Sequence, residues 1–156
     1  MTQDFRKPFT SPPTIFSVAL FAAIAMGLLW PASLPGGLPL WLQLTSGPLG
    51  ILLGVLLIVR SIKDIEAAET TYDPYAASDA LVTSGIYRFS RNPGYLGLAV
   101  MQIGIAMLFD SLWILFTAAL AIAVTTQFVI RLEEAKLAAA FGDAYQAYRQ
   151  RVRRWI

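Results

Sequence analysis

Four stretches of the chain are apolar on every face, instead of at the intervals of an amphipathic helix or a half-buried strand. They cover residues 14–30, a segment ending at Val59, residues 95–109 and residues 112–130. A helix that is hydrophobic all round is surrounded by core or by lipid, and a spanning helix needs about 20 such residues, with a range of about 17–25. The fourth stretch fits as it stands. The first fits with its ends in the headgroup layer, and Trp30-Pro31 marks an interfacial stop in place of a leader cleavage site. The third fits when its opening turn at Pro93 is included, giving 93–109. The second admits two readings. A start at Leu38 makes it long enough with Pro48 as a kink. A cap at Ser46 with Pro48 in the first turn leaves a span over 47–62, in which Arg60 and Lys63 snorkel. The second reading is preferred, with the helix continuing toward Glu69. Gly50 and Gly54 stand in a GxxxG spacing, which either admits a close neighbouring helix or is incidental.

Composition strengthens the membrane reading. Apolar residues make up 56% of the 156 and charged residues 14%, against about 25% charged in a typical soluble domain. The expected fold is a single all-α integral membrane domain of about four transmembrane helices, with a loop over 63–92 and a tail over 131–156 that forms an amphipathic helix. There is no Cys and no His, which excludes disulfides, thiolate nucleophiles, the usual metal ligands and the usual neutral-pH base. No metal site is expected.

Charge orients the chain. The connection from Pro31 to Gly47 carries none, and the turn between the third and fourth spans carries only Asp110. With four spans, all 12 basic residues fall on one side, so both termini, the middle loop and the tail are expected in the cytoplasm.

The chemistry should then lie in that loop and tail. Loops above about 12–15 residues in a compact domain are usually functional or disordered, and this one carries Tyr72, Tyr75 and Tyr87 without low complexity. Ser90-Arg91-Asn92-Pro93-Gly94-Tyr95 turns into the third span. It can face a ligand with a helix N-terminus, or simply enter the membrane with Arg88 and Arg91 on headgroups. In the tail, Glu133 and Glu134 point about 100° apart on a helix, so at most one comfortably faces a shared pocket; pairing of either with Lys136 is the plainer alternative. Gly142 punctuates the tail before Tyr145 and Tyr148. Arg149, Arg151, Arg153 and Arg154 suit a basic strip on anionic lipid. No nucleic-acid reader is visible.

These two segments resemble the isoprenylcysteine carboxyl methyltransferase family of membrane-embedded methyltransferases, which includes phospholipid methyltransferases. The resemblance rests on Leu81-Val82-Thr83-Ser84-Gly85-Ile86-Tyr87, Arg91-Asn92-Pro93-Gly94-Tyr95-Leu96-Gly97, Glu133-Glu134-x-x-Leu137 and Phe141-Gly142-x-x-Tyr145-x-x-Tyr148. It implies an S-adenosylmethionine pocket facing the cytoplasm, with a lipid-like or small amphipathic methyl acceptor arriving from the membrane. Carried over by position, the cofactor would lie against Asp79, Ala80, Leu81, Val82, Tyr87, Asn92, Pro93, Gly94, Tyr95 and Glu133, with Arg91, Tyr95 and Glu133 as the catalytic set. Two positions depart from the family pattern. Asn92 stands where His is usual, which keeps hydrogen bonding but not titration. Val129 stands where the eukaryotic enzymes carry an Arg that looks like a substrate contact. A reductase using a nicotinamide cofactor and a non-catalytic membrane partner are the competing functions. Oligomeric state is not legible.

Overall fold

The computed structural model describes residues 11–68 and 80–156. It is all helix and turn among those residues, as expected. Helices α1 (Pro12–Leu29), α2 (Leu40–Glu66), α3 (Pro93–Leu108) and α4 (Leu112–Thr125) run up and down. A π-helical turn, Thr126–Ile130, joins α4 to α5 (Arg131–Arg151), and a short 3-10 turn, Gly85–Arg88, precedes α3. Helices α1 and α2 and the helix that begins at Leu112 are long and apolar enough to cross a membrane; α3 is a shorter apolar helix. The charged residues begin at Arg131, so the last span ends with the π turn and α5 lies beyond it.

Lipid-facing chemistry is visible on the surface: Phe21 is 71% exposed and Leu28 81%. Water would make such a belt costly, whereas hydrocarbon makes it neutral. The inner faces are small. Phe16, Ala99 and Ala121 pack together, as do Ala23, Ala106 and Ile114, tying α1 to α3 and α4. Buried Gln102 donates from Nε2 to Thr117 Oγ1 at 3.3 Å, a polar tie between α3 and α4.

Helix α2 begins at Leu40, not at the expected 47, and Pro48 lies inside it. Ser46 is not a cap. Its hydroxyl donates backward to the Leu42 carbonyl at 2.6 Å, and Thr45 Oγ1 donates to the Trp41 carbonyl at 2.9 Å. A start at residue 47 would strand N–H groups within hydrocarbon, where each unsatisfied group costs several kcal/mol. Extending to Leu40 moves that end outward, and the hydroxyls support the backbone just before the proline. At its other end α2 stops at Glu66, short of Glu69, which lies outside the described residues.

The glycine spacing is functional packing. A Cβ on Gly54 would sit 2.6 Å from the Gly97 carbonyl oxygen, and one on Gly50 would sit 2.9 Å from Gly104 Cα. The α2 and α3 backbones therefore touch, and no flexible side chain stands between them to give way. Gly54→Leu should lower the melting temperature in detergent by the equivalent of at least about 1–3 kcal/mol, the usual cost of overpacking. Gly27→Leu, where nothing lies within 4 Å, should not.

The two ends of the bundle differ. At one, Trp113 Nε1 donates to the Trp30 carbonyl at 2.6 Å and the Leu34 N–H donates to Asp110 Oδ1 at 3.2 Å. This closes the uncharged connection onto the α3–α4 turn. The other end gathers the close of α2, the start of α3, α5 and the tail.

Candidate active site

At that charged end, three local devices build a cleft. The first is Asp64, near the end of α2. Its carboxylate accepts from the Ile86 N–H at 2.7 Å and pairs with Arg60 at 3.0 Å. Gly85 adopts φ +58 directly against that carboxylate, where any Cβ would collide with it. The second is Tyr87, held at both ends: its hydroxyl shares a 2.9 Å hydrogen bond with Ser61 Oγ, and its carbonyl accepts from Tyr148 Oη at 2.6 Å. The third is Gly142, whose φ of 49° and ψ of −123° break α5. The break folds Tyr145, Tyr148 and Val152 over Leu81, Leu137 and Phe141.

Two chambers result, of about 570 and 300 Å³ including their open mouths. Tyr87, Arg91, Asn92 and Glu133 line both, so they form one continuous cleft. Ala80, Leu81 and Val82 wall the larger chamber, and Gly94 and Tyr95 the smaller. The structure thus gathers most of the residues expected from sequence. Pro93 is the exception: buried at the first position of α3, it lines neither chamber and serves to start the helix. Asp79, like Tyr72 and Tyr75, lies outside the described residues.

Both carboxylates face the cleft, contrary to the expectation that one would point away. Each has its own work. Glu133 Oε2 accepts from Tyr95 Oη at 3.2 Å. Burial pushes the Glu133 carboxyl up to about 7; the Tyr95 hydrogen bond works against this, and the Glu134 charge adds to it. Glu134 is drawn inward by two guanidiniums, Arg91 Nη1 at 2.9 Å on one oxygen and Arg154 Nη2 at 2.7 Å on the other. Arg154 Nε also donates to Glu134 Oε1 at 3.0 Å. Burial works to raise the Glu134 carboxyl, but the Arg154 hydrogen bond and the Arg91, Arg154 and Arg149 charges outweigh it and hold the group below its ordinary range. That attraction overcomes the angular separation of the two side chains.

Arg154 is therefore not part of a lipid-facing strip. The segment after α5 folds back on the start of α3: the Arg91 N–H donates to the Arg153 carbonyl at 3.1 Å, and Asn92 Nδ2 donates to the Arg154 carbonyl at 2.9 Å. Trp155 packs with Tyr95, Val129 and Ile130. Val129 is 1% exposed in that cluster, behind the cleft. Arg91 Nη1 also donates to Tyr145 Oη at 3.1 Å, while its buried Nε has no hydrogen-bond partner among the described residues. Sequence reasoning missed Arg154 as a site residue because a C-terminal arginine carries no local sign of its partner. The Tyr145 and Tyr148 spacing was the available signal for the other wall.

The phospholipid methyltransferase family model matches residues 42–144, most of the chain and nearly all the cleft. The chain is also 36% identical over 72 residues to a protein-S-isoprenylcysteine O-methyltransferase from Schizosaccharomyces pombe (strain 972 / ATCC 24843). That match covers 46% of this chain but only 30% of the relative. No solved structure matches. An all-α membrane bundle ending in a polar cleft, with the family match running through the helices that build it, identifies the chain as a member of the phospholipid methyltransferase family.

Proposed function

We propose that this membrane methyltransferase uses S-adenosylmethionine to methylate a lipid-like or small amphipathic acceptor at the cytoplasmic face. The observation that carries the reading is the convergence of Glu133, Tyr95, Arg91, Asn92 and Tyr87 on one cleft at the charged end of the bundle. The residues suit the cofactor: a carboxylate for hydroxyl or ammonium groups, a guanidinium for a carboxylate, and an aromatic face for a cation.

S-adenosylmethionine, when bound, would supply an electrophilic methyl carbon: a bond from an acceptor lone pair would form in line as the carbon–sulfur bond breaks, with S-adenosylhomocysteine as the leaving group. The chain supplies position and dryness. Leu81, Val82 and Leu137 exclude water, and Tyr87, pinned at both ends, forms a fixed wall. Asn92 commits one donor to the tail and so holds the cleft floor as well as facing it. Tyr95 fixes the Glu133 carboxyl by donating to Oε2, and a carboxyl with a pKa of about 7 can take a proton from an amine or thiol acceptor. A carboxylate acceptor needs no such step.

Purified protein offered radiolabelled S-adenosylmethionine and, separately, NADPH should retain the first. Retention of NADPH alone, or of neither, overturns the reading. The cytoplasmic placement rests on the one-sided basic residues, and reporter fusions after Gly36 and after Ile156 should land on opposite sides of the membrane. The same compartment for both would contradict four spans.

A further inference from the structure

Arg91 lines both chambers, its side chain is 9% exposed, and its buried Nε has no hydrogen-bond partner among the described residues. Such a donor is costly unless a ligand accepts from it. Its guanidinium sits beside the first turn of α3, where the positive end of the helix dipole also favours an anion. Its other terminus is taken by Glu134, and Glu134 is in turn gripped by the two-point contact from Arg154. No other hydrogen bond or ion pair among the described residues holds Glu134 from the tail side.

We propose that Arg154 is a positioning residue: it fixes Glu134, Glu134 fixes the Arg91 guanidinium, and Arg91 receives the carboxylate of the bound cofactor. This rests on the S-adenosylmethionine reading and deepens it. The tail segment that carries Arg154 also accepts from Asn92 and from the Arg91 backbone, so it sets both cleft residues. Without Arg154, Glu134 stays paired to Arg91 but loses its anchor, and the fork turns away from its working direction. Arg154→Lys keeps charge but not the planar two-point grip.

The test compares binding of S-adenosylmethionine and decarboxylated S-adenosylmethionine, which differ only in the carboxylate. Arg154→Ala should weaken the first by about tenfold, the scale of one charge-assisted hydrogen bond, and leave the second nearly unchanged. Arg154→Lys should fall between and carries the same comparison if the alanine variant does not fold. In combination with Glu134→Gln, the Arg154→Ala loss should not add to the Glu134→Gln loss, because both act on one chain of contacts. Equal loss for both ligands, no loss, or additive losses overturns the inference alone. A parent protein that binds neither ligand overturns the cofactor reading, and this inference with it.

Discussion

Glu134→Ala is expected to cost about 3–5 kcal/mol of stability, the usual effect of removing one partner of a buried ion pair. The Arg91 and Glu134 side chains are 9% and 12% exposed, so loss of the carboxylate leaves a largely buried guanidinium short of its counter-charge. Thermal melts in detergent would register the loss as an early transition, with the tail released first because Arg154 loses its partner. Acid should act in the same direction on the parent. The Glu134 carboxyl is held below its ordinary value in the fold, so its contribution is present above the unfolded pKa and is lost as pH falls through the folded one. A double replacement, Arg91→Met with Glu134→Leu, should recover part of the stability while abolishing ligand binding, since apolar pairs often replace buried ions without loss. A melting temperature unchanged in Glu134→Ala would show the network to be weak.

Glu133→Gln should do the opposite to stability and remove a pH dependence. The Glu133 carboxyl is raised from 4.5 to about 7, chiefly by burial. Between those values the folded chain holds a proton that the unfolded chain has lost, so the favourable contribution is present below 4.5 and disappears as pH rises through about 7. At pH 8 the glutamine variant, with no charge to bury, should melt higher than the parent; near pH 4.5 the two should agree. Binding runs the other way. If the ionised carboxylate meets the cationic or hydroxyl groups of S-adenosylmethionine, parent affinity should rise by about tenfold from pH 6 to 8, following the ionised fraction. The variant should bind weakly and evenly across that range. An equally steep profile in Glu133→Gln would move the titrating group elsewhere.

The order of helices and most of the cleft residues are legible in the sequence. Uninterrupted apolar runs have one stable solution in lipid, and the motif around Asn92 and Glu133 lies in two short segments whose residues read locally. The start of α2 was not legible. Ser46-Gly47-Pro48 has the local chemistry of a helix start, and only the absence of water around it makes the longer helix the better solution. The role of Gly50 and Gly54 was open for a similar reason: spacing permits close approach, but Gly97 and Gly104 on another helix decide it.

By itself the sequence determined an all-α membrane chain with its charge gathered at one end, and its family resemblance offered Glu133, Tyr95, Arg91 and Asn92 as candidates there, because hydropathy and short motifs are properties of neighbours along the chain. Only the tertiary structure decided that Glu134 joins Glu133 in the cleft, that Arg154 leaves the lipid strip to hold it, and that Pro93 stands behind the wall. The first two follow the π turn and the positive φ at Gly142. Together these set where α5 points and where the tail returns, and they bring charges 63 residues apart in the chain, Arg91 and Arg154, onto one carboxylate.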